Sequence, residues 1–394
     1  MTTRQIFPVL LGADLNCYSV ARAFHEAYGA CSRVFGKDEL GAIKHSKIVS
    51  FSKIPPLEER ETVLRVLIDF AVSTNEKPYI ISCTDEYALF IIENQDILSK
   101  YYICECPKIE LFPTISDKTE FYRECGRLGL PYPESVFVSS PNEAGKARYL
   151  PFDYPAIVKP SCSFEYWKHP FDRMKKVYVA RSAADAERIV DEIFSSGYDK
   201  QIIVQKMIRG EKQYVATCFS VDGAVLALSV GRVLLGEITP KGIGNHVAII
   251  TEQNDTIESM VTRFLDAEKY TGFSNFDIMY DENKGKYYLL EINPRQGRSN
   301  YYMSASGMNI ARLYVEKIKY PPCENEIFWH SVPTNIVTER CSSSDAKKIK
   351  QISKNKKSFS PLCYPADMRD IRRITYLAAH HFGFYLKYRD YDKR

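Results

Sequence analysis

The stretch that decides the fold is KYYLLEINPRQGRS, which occupies residues 286–299. Residues 287–292 form an apolar and aromatic run that is interrupted by a single carboxylate, Glu291. This pattern is typical of a strand that carries one charged group into a site. Because side chains alternate between the two faces of a strand, Glu291 and Asn293 are predicted to lie on the same face.

A second acidic strand precedes this one in the sequence. Residues 273–280 form another apolar run, which carries Asp277, and DENKG supplies a turn between the two runs. The two strands are therefore predicted to form a hairpin. Carboxylate and amide oxygens are ligands that Mg²⁺ takes in proteins, usually together with substrate phosphates. The hairpin thus predicts a magnesium site with Asp277, Glu291 and Asn293 as its ligands.

The alternative to a metal site is a surface hairpin whose charges are merely solvated. Leu289, Leu290 and Ile292 surround Glu291 in the sequence, and a carboxylate among buried residues needs partners, which favours the site. Two arginines, Arg295 and Arg298, come directly after the hairpin. They are predicted to lie on a loop beside the metal, where guanidinium groups could hold an anion.

Composition is consistent with an ordinary enzyme that acts on small molecules. With 394 residues, 45% hydrophobic and 26% charged, the chain can bury a full core and is expected to hold two or three domains. A net charge of +4 is too balanced to indicate nucleic-acid binding, although it is compatible with an anionic substrate. The eleven cysteines form no disulfide framework. Together with the lack of a signal sequence they predict a cytoplasmic protein, and no apolar run predicts a membrane span.

The first third of the sequence alternates short apolar runs with amphipathic stretches. This alternation predicts a doubly wound parallel sheet. The turn after the first predicted strand, LLGADLN, lacks the G-x-G-x-x-G fingerprint, which argues against an NAD-dependent oxidoreductase. Gly12, Asp14 and Asn16 are possible substrate contacts there, but turn and helix-cap roles are favoured.

Lys159 follows the apolar residues of a predicted strand at residues 156–158. A lysine in such a place is usually buried or directed at an anion, so we interpret it as a phosphate ligand. Lys118 lies near the start of a predicted helix that ends near Gly129. An exposed helix lysine is the default interpretation for Lys118 when no family is considered.

The acidic strand, the Glu-x-Asn of the next strand and the Pro-Arg after it resemble the ATP-grasp superfamily. The resemblance implies an α/β chain with the ATP-grasp fold and an N-terminal doubly wound parallel-sheet (pre-ATP-grasp) domain. It implies a pre-ATP-grasp domain at residues 1–112, an ATP-grasp domain of two subdomains at residues 113–320, and a C-terminal helical extension at residues 321–394.

The same resemblance implies how the nucleotide is held. Lys118 and Lys159 would contact the phosphates, and a loop with two serine hydroxyls would close over them. That loop has no glycine, unlike many superfamily members, and its aromatic residues could also contact an acceptor. A hinge would pair with the adenine edge, and Glu211 would take a ribose hydroxyl unless it is a solvated turn residue. The cofactors implied are ATP and two Mg²⁺ ions, for which Mn²⁺ could substitute. The nucleotide-binding residues implied are Lys118, Lys159, Ser161, Ser163, Gln205, Lys206, Met207, Ile208 and Glu211.

Up to about residue 320 the chain resembles, more narrowly, the bacterial D-aspartate ligases of peptidoglycan synthesis. This resemblance implies that ATP activates the side-chain carboxylate of D-aspartate and that the lysine amine of UDP-MurNAc-pentapeptide attacks it. Arg295 would stabilise the oxyanion and Arg298 would bind the carboxylate of the acid. The partners implied are the amino acid and the nucleotide-linked precursor, with no nucleic acid, and the enzyme could be a homodimer.

Two rival functions remain open at the level of sequence. One is an ATP-grasp ligase for a different acid and amine, such as an enzyme of dipeptide or cofactor synthesis. The other is a module that binds ATP without turnover, whose mark would be a missing metal ligand or phosphate lysine, and none is missing. Arg232 could reach a phosphate, and Lys241 and His246 could line the acceptor side, although a lone histidine is more often structural. A basic helix at residues 371–388 is predicted to pack through one apolar side that carries Ile371, Ile374, Leu377 and Phe382, in preference to contacting a membrane surface or an anionic substrate.

Overall fold

The computed structural model describes residues 5–208, 212–238 and 244–391. The chain forms two compact units, each built from separate stretches of sequence. The first unit comprises Met1–Ile109, Val215–Asn275 and Asn293–Arg394, and the second comprises Glu110–Tyr214 and Phe276–Ile292. Residues 321–394, for which we predicted a separate extension, thus belong to the same unit as the N-terminal residues.

The helices and strands of the N-terminal stretch are, in chain order, β1 (Pro8–Leu11), α1 (Leu15–Tyr28), β2 (Ser32–Gly36), β3 (Val49–Lys53), α2 (Arg60–Val72), β4 (Tyr79–Ser82), α3 (Asp85–Glu93), α4 (Gln95–Tyr101) and β5 (Ile103–Cys104). The next stretch contains α5 (Phe112–Ser116), α6 (Lys118–Arg127), β6 (Ser135–Val138), β7 (Ala156–Pro160), α7 (Ser163–Tyr166), β8 (Tyr178–Ala180), α8 (Ala183–Ser195) and β9 (Ile202–Lys206). The remainder contains β10 (Lys212–Val221), β11 (Ala224–Gly236), β12 (His246–Thr251), α9 (Asp255–Ala267), β13 (Gly272–Asp281), β14 (Lys286–Asn293), α10 (Tyr301–Ala305), α11 (Ile310–Glu316), β15 (Phe328–His330), α12 (Thr334–Thr338), α13 (Ser343–Lys354), β16 (Ser358–Phe359) and α14 (Ile371–Tyr391).

The predicted doubly wound sheet is confirmed. Its strands lie in the order β3-β2-β1-β4-β5, and every neighbouring pair is parallel. Along β1, Leu10 packs into one apolar core, which α1 covers, whereas Val9 and Leu11 pack into another, which α2 covers. Helices therefore cover both faces of the sheet, which explains why β1 is a continuous apolar run.

The turn after β1 has the structural roles that the sequence favoured. Gly12 has a φ of +130°, and a Cβ there would lie 3.1 Å from the Cβ of Cys83. The Asp14 carboxylate accepts a hydrogen bond from the amide of Cys17 and so caps α1. Helix α3, which the sequence analysis did not predict, begins at a similar cap, where the Thr84 hydroxyl accepts from the amide of Tyr87.

The described residues form two further sheets. In the second unit the strands lie in the order β6-β9-β7-β8, and α8 packs on them through Ile189, Val190 and Ile193. The other sheet has the order β14-β13-β10-β11-β12-β15-β16. Residues 321–394 therefore supply two of its strands as well as helices.

Helix α14 exists where the sequence predicts it, but its predicted buried side is wrong. Leu377 is buried, whereas Ile371 and Phe382 are exposed. The helix is instead anchored by Arg373, which is fully buried. Its guanidinium donates to the carbonyl oxygens of Ala42 and Lys44 and lies 3.4 Å from the carboxylate of Asp367.

Candidate functional site

The site begins where helix α6 meets the end of strand β7. The Asp117 carboxylate accepts from the amide of Thr119 and caps the helix, so Lys118 is its first residue. The backbone amide of Lys118 donates to the carbonyl of Ser161, and the Ser161 hydroxyl donates to Asp117 at 2.6 Å. These bonds fix Lys118 beside Ser163, whose hydroxyl lies 3.3 Å from the lysine Nζ.

Glu291 lies at the centre of a charged cluster in the second unit. Lys118 Nζ is 2.8 Å from Glu291 Oε2, and Lys176 Nζ is 4.0 Å from Glu291 Oε1. Asp277 also lies close enough to Glu291 to influence the pKa of its carboxyl group. The two carboxylates that the hairpin pattern paired are thus adjacent, and β13 and β14 are neighbouring strands as predicted.

Lys159 and Gln205 converge on one tyrosine hydroxyl. Lys159 Nζ donates to the hydroxyl of Tyr122 at 3.0 Å, and Gln205 Nε2 donates to the same oxygen at 3.3 Å. The Tyr122 hydroxyl itself donates to the carbonyl of Leu290. Lys159 and Gln205 are buried, so the lysine charge is held largely away from water.

The environment of these groups changes their ionisation. Burial, together with repulsion from the Lys118 ammonium, lowers the pKa of Lys159 from 10.5 to about 7. Burial by itself would raise the pKa of Glu291, but the ammonium groups of Lys118 and Lys176 outweigh it, so the pKa lies well below its ordinary range. Burial by itself would lower the pKa of Lys118. Attraction to the Glu291 carboxylate outweighs burial, so the pKa of Lys118 is raised. At neutral pH the cluster therefore holds a carboxylate between ammonium groups.

The predicted adenine hinge lies at the end of β9, next to a cavity of about 350 Å³. The Lys206 amide donates to the carbonyl of Glu134, and Lys206 and Ile208 line the cavity. Met207 is exposed. The predicted ribose ligand Glu211 lies outside the described residues. The other lining residues of the cavity are Tyr132, Pro133, Glu134, Ser135, Asp281, Lys284 and Tyr288.

The loop after β14 belongs to the first unit, with its own set of contacts. The Asn293 amide donates to the carbonyl of Asn275 at 3.3 Å. Arg295 forms an ion pair with Asp85, with a distance of 2.8 Å between Nε and Oδ1. Burial raises the pKa of Asp14, although the Arg298 and Arg295 charges oppose the shift. The two arginines are thus held near the carboxyl ends of β1 and β4, where open α/β sheets bind ligands.

The fit to a divalent cation rests on the donor set. Among residues 5–208, 212–238 and 244–391, no group of three or more His, Cys, Asp and Glu side chains is arranged to hold a metal ion. The candidate set instead contains two carboxylates of the second unit, Asp277 and Glu291, whereas the third predicted ligand, Asn293, belongs to the first unit. One or two carboxylates completed by substrate phosphates are what Mg²⁺ commonly uses, so these residues fit the ion.

Sequence reasoning missed two members of the cluster. Tyr122 lies one helical turn after Lys118, and that spacing could have indicated a shared face. Lys176 follows no periodic pattern, so the sequence contained no signal for it.

The residues left without a role are placed as follows. Arg232 forms ion pairs with Asp345 at 2.7 Å and Glu252 at 3.1 Å, which is a structural arrangement rather than a phosphate contact. His246 begins β12. Lys241 lies outside the described residues.

Comparison with known proteins identifies the family. Residues 115–299 match the ATP-grasp domain model. The chain is 32% identical to the D-aspartate ligase of Enterococcus faecium over 390 residues, which cover 94% of this chain and 92% of the relative. The fold is similar to that of an L-amino acid ligase from Bacillus licheniformis, with a TM-score of 0.59 and 15% identity over 81% of this chain and 75% of that one. It is also similar to the biotin carboxylase of Campylobacter jejuni, with a TM-score of 0.61 and 15% identity over 82% and 73% of the two chains. The chain therefore belongs to the ATP-grasp family, in the branch of D-aspartate ligase, and is an ATP-dependent carboxylate–amine ligase.

Proposed function

We propose that this ligase joins the β-carboxylate of D-aspartate to the lysine amine of UDP-MurNAc-pentapeptide, with release of ADP and phosphate. The observation that carries the proposal is the likeness to a D-aspartate ligase along nearly the whole length of both chains. Likeness confined to the ATP-grasp domain would support only the activation of some carboxylate by ATP.

The lysine cluster of the second unit is the proposed phosphate site. Lys118 and Lys159 bind the phosphates, and the Ser163 hydroxyl, 3.3 Å from Lys118 Nζ, lies close enough to share that task. The Ser161 hydroxyl, which is also a proposed contact, is buried and donates to Asp117, so it must exchange this partner to reach a phosphate. The low pKa of Lys159 supports the assignment, because an anion that enters the cluster would stabilise a charge that the fold otherwise disfavours.

We assign adenine to the cavity beside the hinge. The aromatic rings of Tyr132 and Tyr288 line it. The proposed partner of the base edge is the backbone of residues 206–208, apart from the Lys206 amide, which donates to the carbonyl of Glu134. Gln205 lies one residue before the hinge, and Glu211 would take a ribose hydroxyl. The volume of about 350 Å³ is in the range of ordinary small-ligand pockets.

Asp277, Glu291 and Asn293 are the proposed ligands of two Mg²⁺ ions, for which Mn²⁺ can substitute. When bound, the ions supply charge neutralisation for the phosphates during phosphoryl transfer. Lys118 now pairs with Glu291, so the lysine must exchange this partner for a phosphate when Glu291 serves as a metal ligand.

The chemistry follows from the low reactivity of a carboxylate toward an amine. Transfer of the γ-phosphoryl group to the β-carboxylate gives an acyl phosphate with a good leaving group. The lysine amine of the precursor then attacks the acyl carbon, phosphate leaves, and the amine loses a proton. The lysines offset the charge that spreads over the transferring group, and Arg295 stabilises the tetrahedral oxyanion. All eleven cysteines are free thiols, but none is required as a nucleophile.

Two arginines suit a substrate with two carboxylates. One carboxylate is phosphorylated while Arg298 binds the other through a bidentate contact. An added methylene, as in D-glutamate, would displace the reacting oxygen by about 1 Å or more, which is enough to reduce the rate about a hundredfold.

We further propose that the enzyme acts in the cytoplasm as a homodimer. No helix in the described part of the chain is long and apolar enough to cross a membrane.

Mass spectrometry of the reaction products tests this proposal. Purified enzyme is incubated with ATP, Mg²⁺ and UDP-MurNAc-pentapeptide, and with D-aspartate, L-aspartate, D-glutamate or D-alanine in parallel. We expect a product that is heavier by one aspartyl residue and equimolar ADP, formed fastest from D-aspartate. Preference for D-alanine would contradict the dicarboxylate assignment. Equal rates with both aspartate enantiomers would remove the peptidoglycan role and favour the alternative, a ligase for another acid and amine.

A further inference from the structure

Lys176 is a member of the Glu291 cluster that has no role in the account so far. It lies between α7 and β8, in the segment that follows the two serines. Lys118 and Lys176 approach opposite oxygens of the Glu291 carboxylate, at 2.8 Å and 4.0 Å respectively. The longer distance means that Glu291 holds Lys176 only weakly.

The backbone next to Lys176 is fixed by two buried tyrosines. The amide of Lys175 donates to the hydroxyl of Tyr178 at 2.9 Å, and the hydroxyl of Tyr166 donates to the carbonyl of Lys175 at 3.0 Å. The two hydroxyls also lie 2.8 Å apart. We call these two residues the tyrosine clamp. It fixes the backbone of the residue that precedes Lys176, and thus the place from which the Lys176 side chain extends.

The charges of the cluster point to an anion. Lys118 and Lys176 both oppose the charge of Lys159, so the ammonium groups repel one another across the cluster. The carboxylates of Asp277 and Glu291, and that of Asp117 beside Lys118, offset these charges only in part at Lys159, whose pKa stays low. An anionic ligand would offset the repulsion, and a triphosphate carries enough charge to engage every lysine.

The accessibility of the three side chains separates their roles. The Lys118 side chain is 14% exposed and Lys159 is 8% exposed, so both are largely enclosed by the protein. The Lys176 side chain is 37% exposed. It can therefore turn toward a ligand that arrives from solvent without losing a buried packing partner.

We propose that Lys176, held by the tyrosine clamp, is a third lysine that contacts the phosphates of ATP, together with Lys118 and Lys159. The inference rests on the proposed phosphate site. It also assigns a function to the segment between β7 and β8, which has no glycine-rich loop. In place of backbone amides from such a loop, this chain presents an ammonium group on a fixed backbone. The competing role for Lys176 is purely structural, as a partner that neutralises Glu291.

Calorimetric titration with ATP, ADP and adenosine, in the presence of Mg²⁺, separates these roles. The variants are Lys176→Ala, Lys176→Gln and Lys176→Arg, and the matched control is Lys175→Ala, which removes the same charge from an exposed neighbouring residue. Loss of a charge-assisted contact predicts that Lys176→Ala and Lys176→Gln weaken ATP binding about tenfold or more. We expect adenosine affinity to change less than about twofold, because adenosine has no phosphate. Lys176→Arg should retain more ATP affinity than Lys176→Gln.

Several outcomes would overturn the inference. One is ATP affinity in the Lys176 variants equal to that of Lys175→Ala. Another is an equal loss of ATP and adenosine affinity, and a third is a lower melting temperature with unchanged ATP affinity, both of which indicate a structural role. Lys159→Ala, measured in parallel, distinguishes a failure of the proposed phosphate site. If Lys159→Ala also leaves ATP affinity unchanged, the assignment of the phosphate site is wrong, and the proposed role of Lys176 is then wrong as well.

Discussion

Lys159 illustrates how far the fold changes the chemistry of one side chain. Its folded pKa of about 7 lies below the ordinary 10.5, so between these pH values the folded chain binds fewer protons at this residue than the unfolded chain. The cost of burying the charge is therefore fully present below pH 7 and is relieved as the pH rises toward 10.5. A bound anion should reverse this effect, since it stabilises the charged lysine.

We accordingly predict that ATP binding at pH 8 is coupled to proton uptake. Lys159 is largely neutral at that pH in the free enzyme, and phosphate contacts would raise its pKa. Calorimetry in buffers of different ionisation enthalpy measures the protons taken up, which should be a substantial fraction of one per site. In Lys159→Met the uptake should disappear, and an undiminished uptake in this variant would assign the proton to another group.

Glu291→Gln should reduce turnover by at least about a hundredfold, because the variant removes the charge of a proposed metal ligand. It also removes the partner of Lys118, so we expect a lower melting temperature together with a folded circular dichroism spectrum. ADP release and thermal melting check the two effects. Glu282→Gln is the control, because it removes the same charge from the turn of the same hairpin. Glu282 pairs with Lys212 of β10 and has no proposed role in metal binding. Equal turnover in the two variants would show that the metal lies elsewhere.

At the scale of single residues, the sequence predicted those site residues that lie within the alternating pattern of a strand. Asp277 and Glu291 could be paired from the alternation of two apolar runs, and they are adjacent in the structure. The place of Lys176 in the cluster could not be predicted. The backbone beside it is fixed by the hydroxyls of Tyr166 and Tyr178, and no local sequence pattern indicates these contacts.

Among the elements, α6 and α14 show what helix signals can and cannot predict. The position of α6 was predicted because the signals at helix ends are local: Gly129 follows the end of the helix, and the structure shows Asp117 as its N-terminal cap. The position of α14 was predicted as well, but its buried side was not. Arg373 packs over the ring of Tyr18 and bonds distant carbonyl groups, so a long-range polar contact determines which face is buried.

Two substitutions in α14 should therefore differ strongly in their effect on stability. Leu377→Ala removes a buried side chain and should cost about 2 to 4 kcal/mol in the free energy of unfolding. Phe382→Ala alters an exposed residue and should change it by less than about 0.5 kcal/mol. Urea unfolding followed by fluorescence measures both values. A larger loss of stability in Phe382→Ala than in Leu377→Ala would contradict this prediction and support the buried side that the sequence predicted.

On the scale of the whole molecule, the N-terminal sheet was predictable and the course of the chain through its two units was not. The alternation of strands and helices within residues 5–104 predicts a parallel sheet, because consecutive elements of this kind are usually neighbours in space. The return of residues 321–394 to the first unit depends on β15 and β16, which have three and two residues. Strands this short have no recognisable period, and their pairing partners are distant in sequence.

We predict that a chain truncated after residue 320 does not fold. The deletion removes Phe328 and Trp329, both fully buried in apolar cores of the first unit. It also removes Asp367 and Arg373, which anchor α14. Circular dichroism and amide hydrogen exchange of the purified fragment test this, with the full-length protein as the reference. Native-like exchange protection in the fragment would show that residues 321–394 are a dispensable extension.

The central claim is that ATP activates the β-carboxylate of D-aspartate as an acyl phosphate. Isotope transfer tests it most directly, with D-aspartate labelled by ¹⁸O in the β-carboxylate alone, ATP, Mg²⁺ and UDP-MurNAc-pentapeptide. The account predicts that each phosphate released contains one ¹⁸O atom, because the oxygen that accepts the phosphoryl group leaves with it when the amine attacks. Phosphate that forms with the amide product but contains no ¹⁸O would contradict the account.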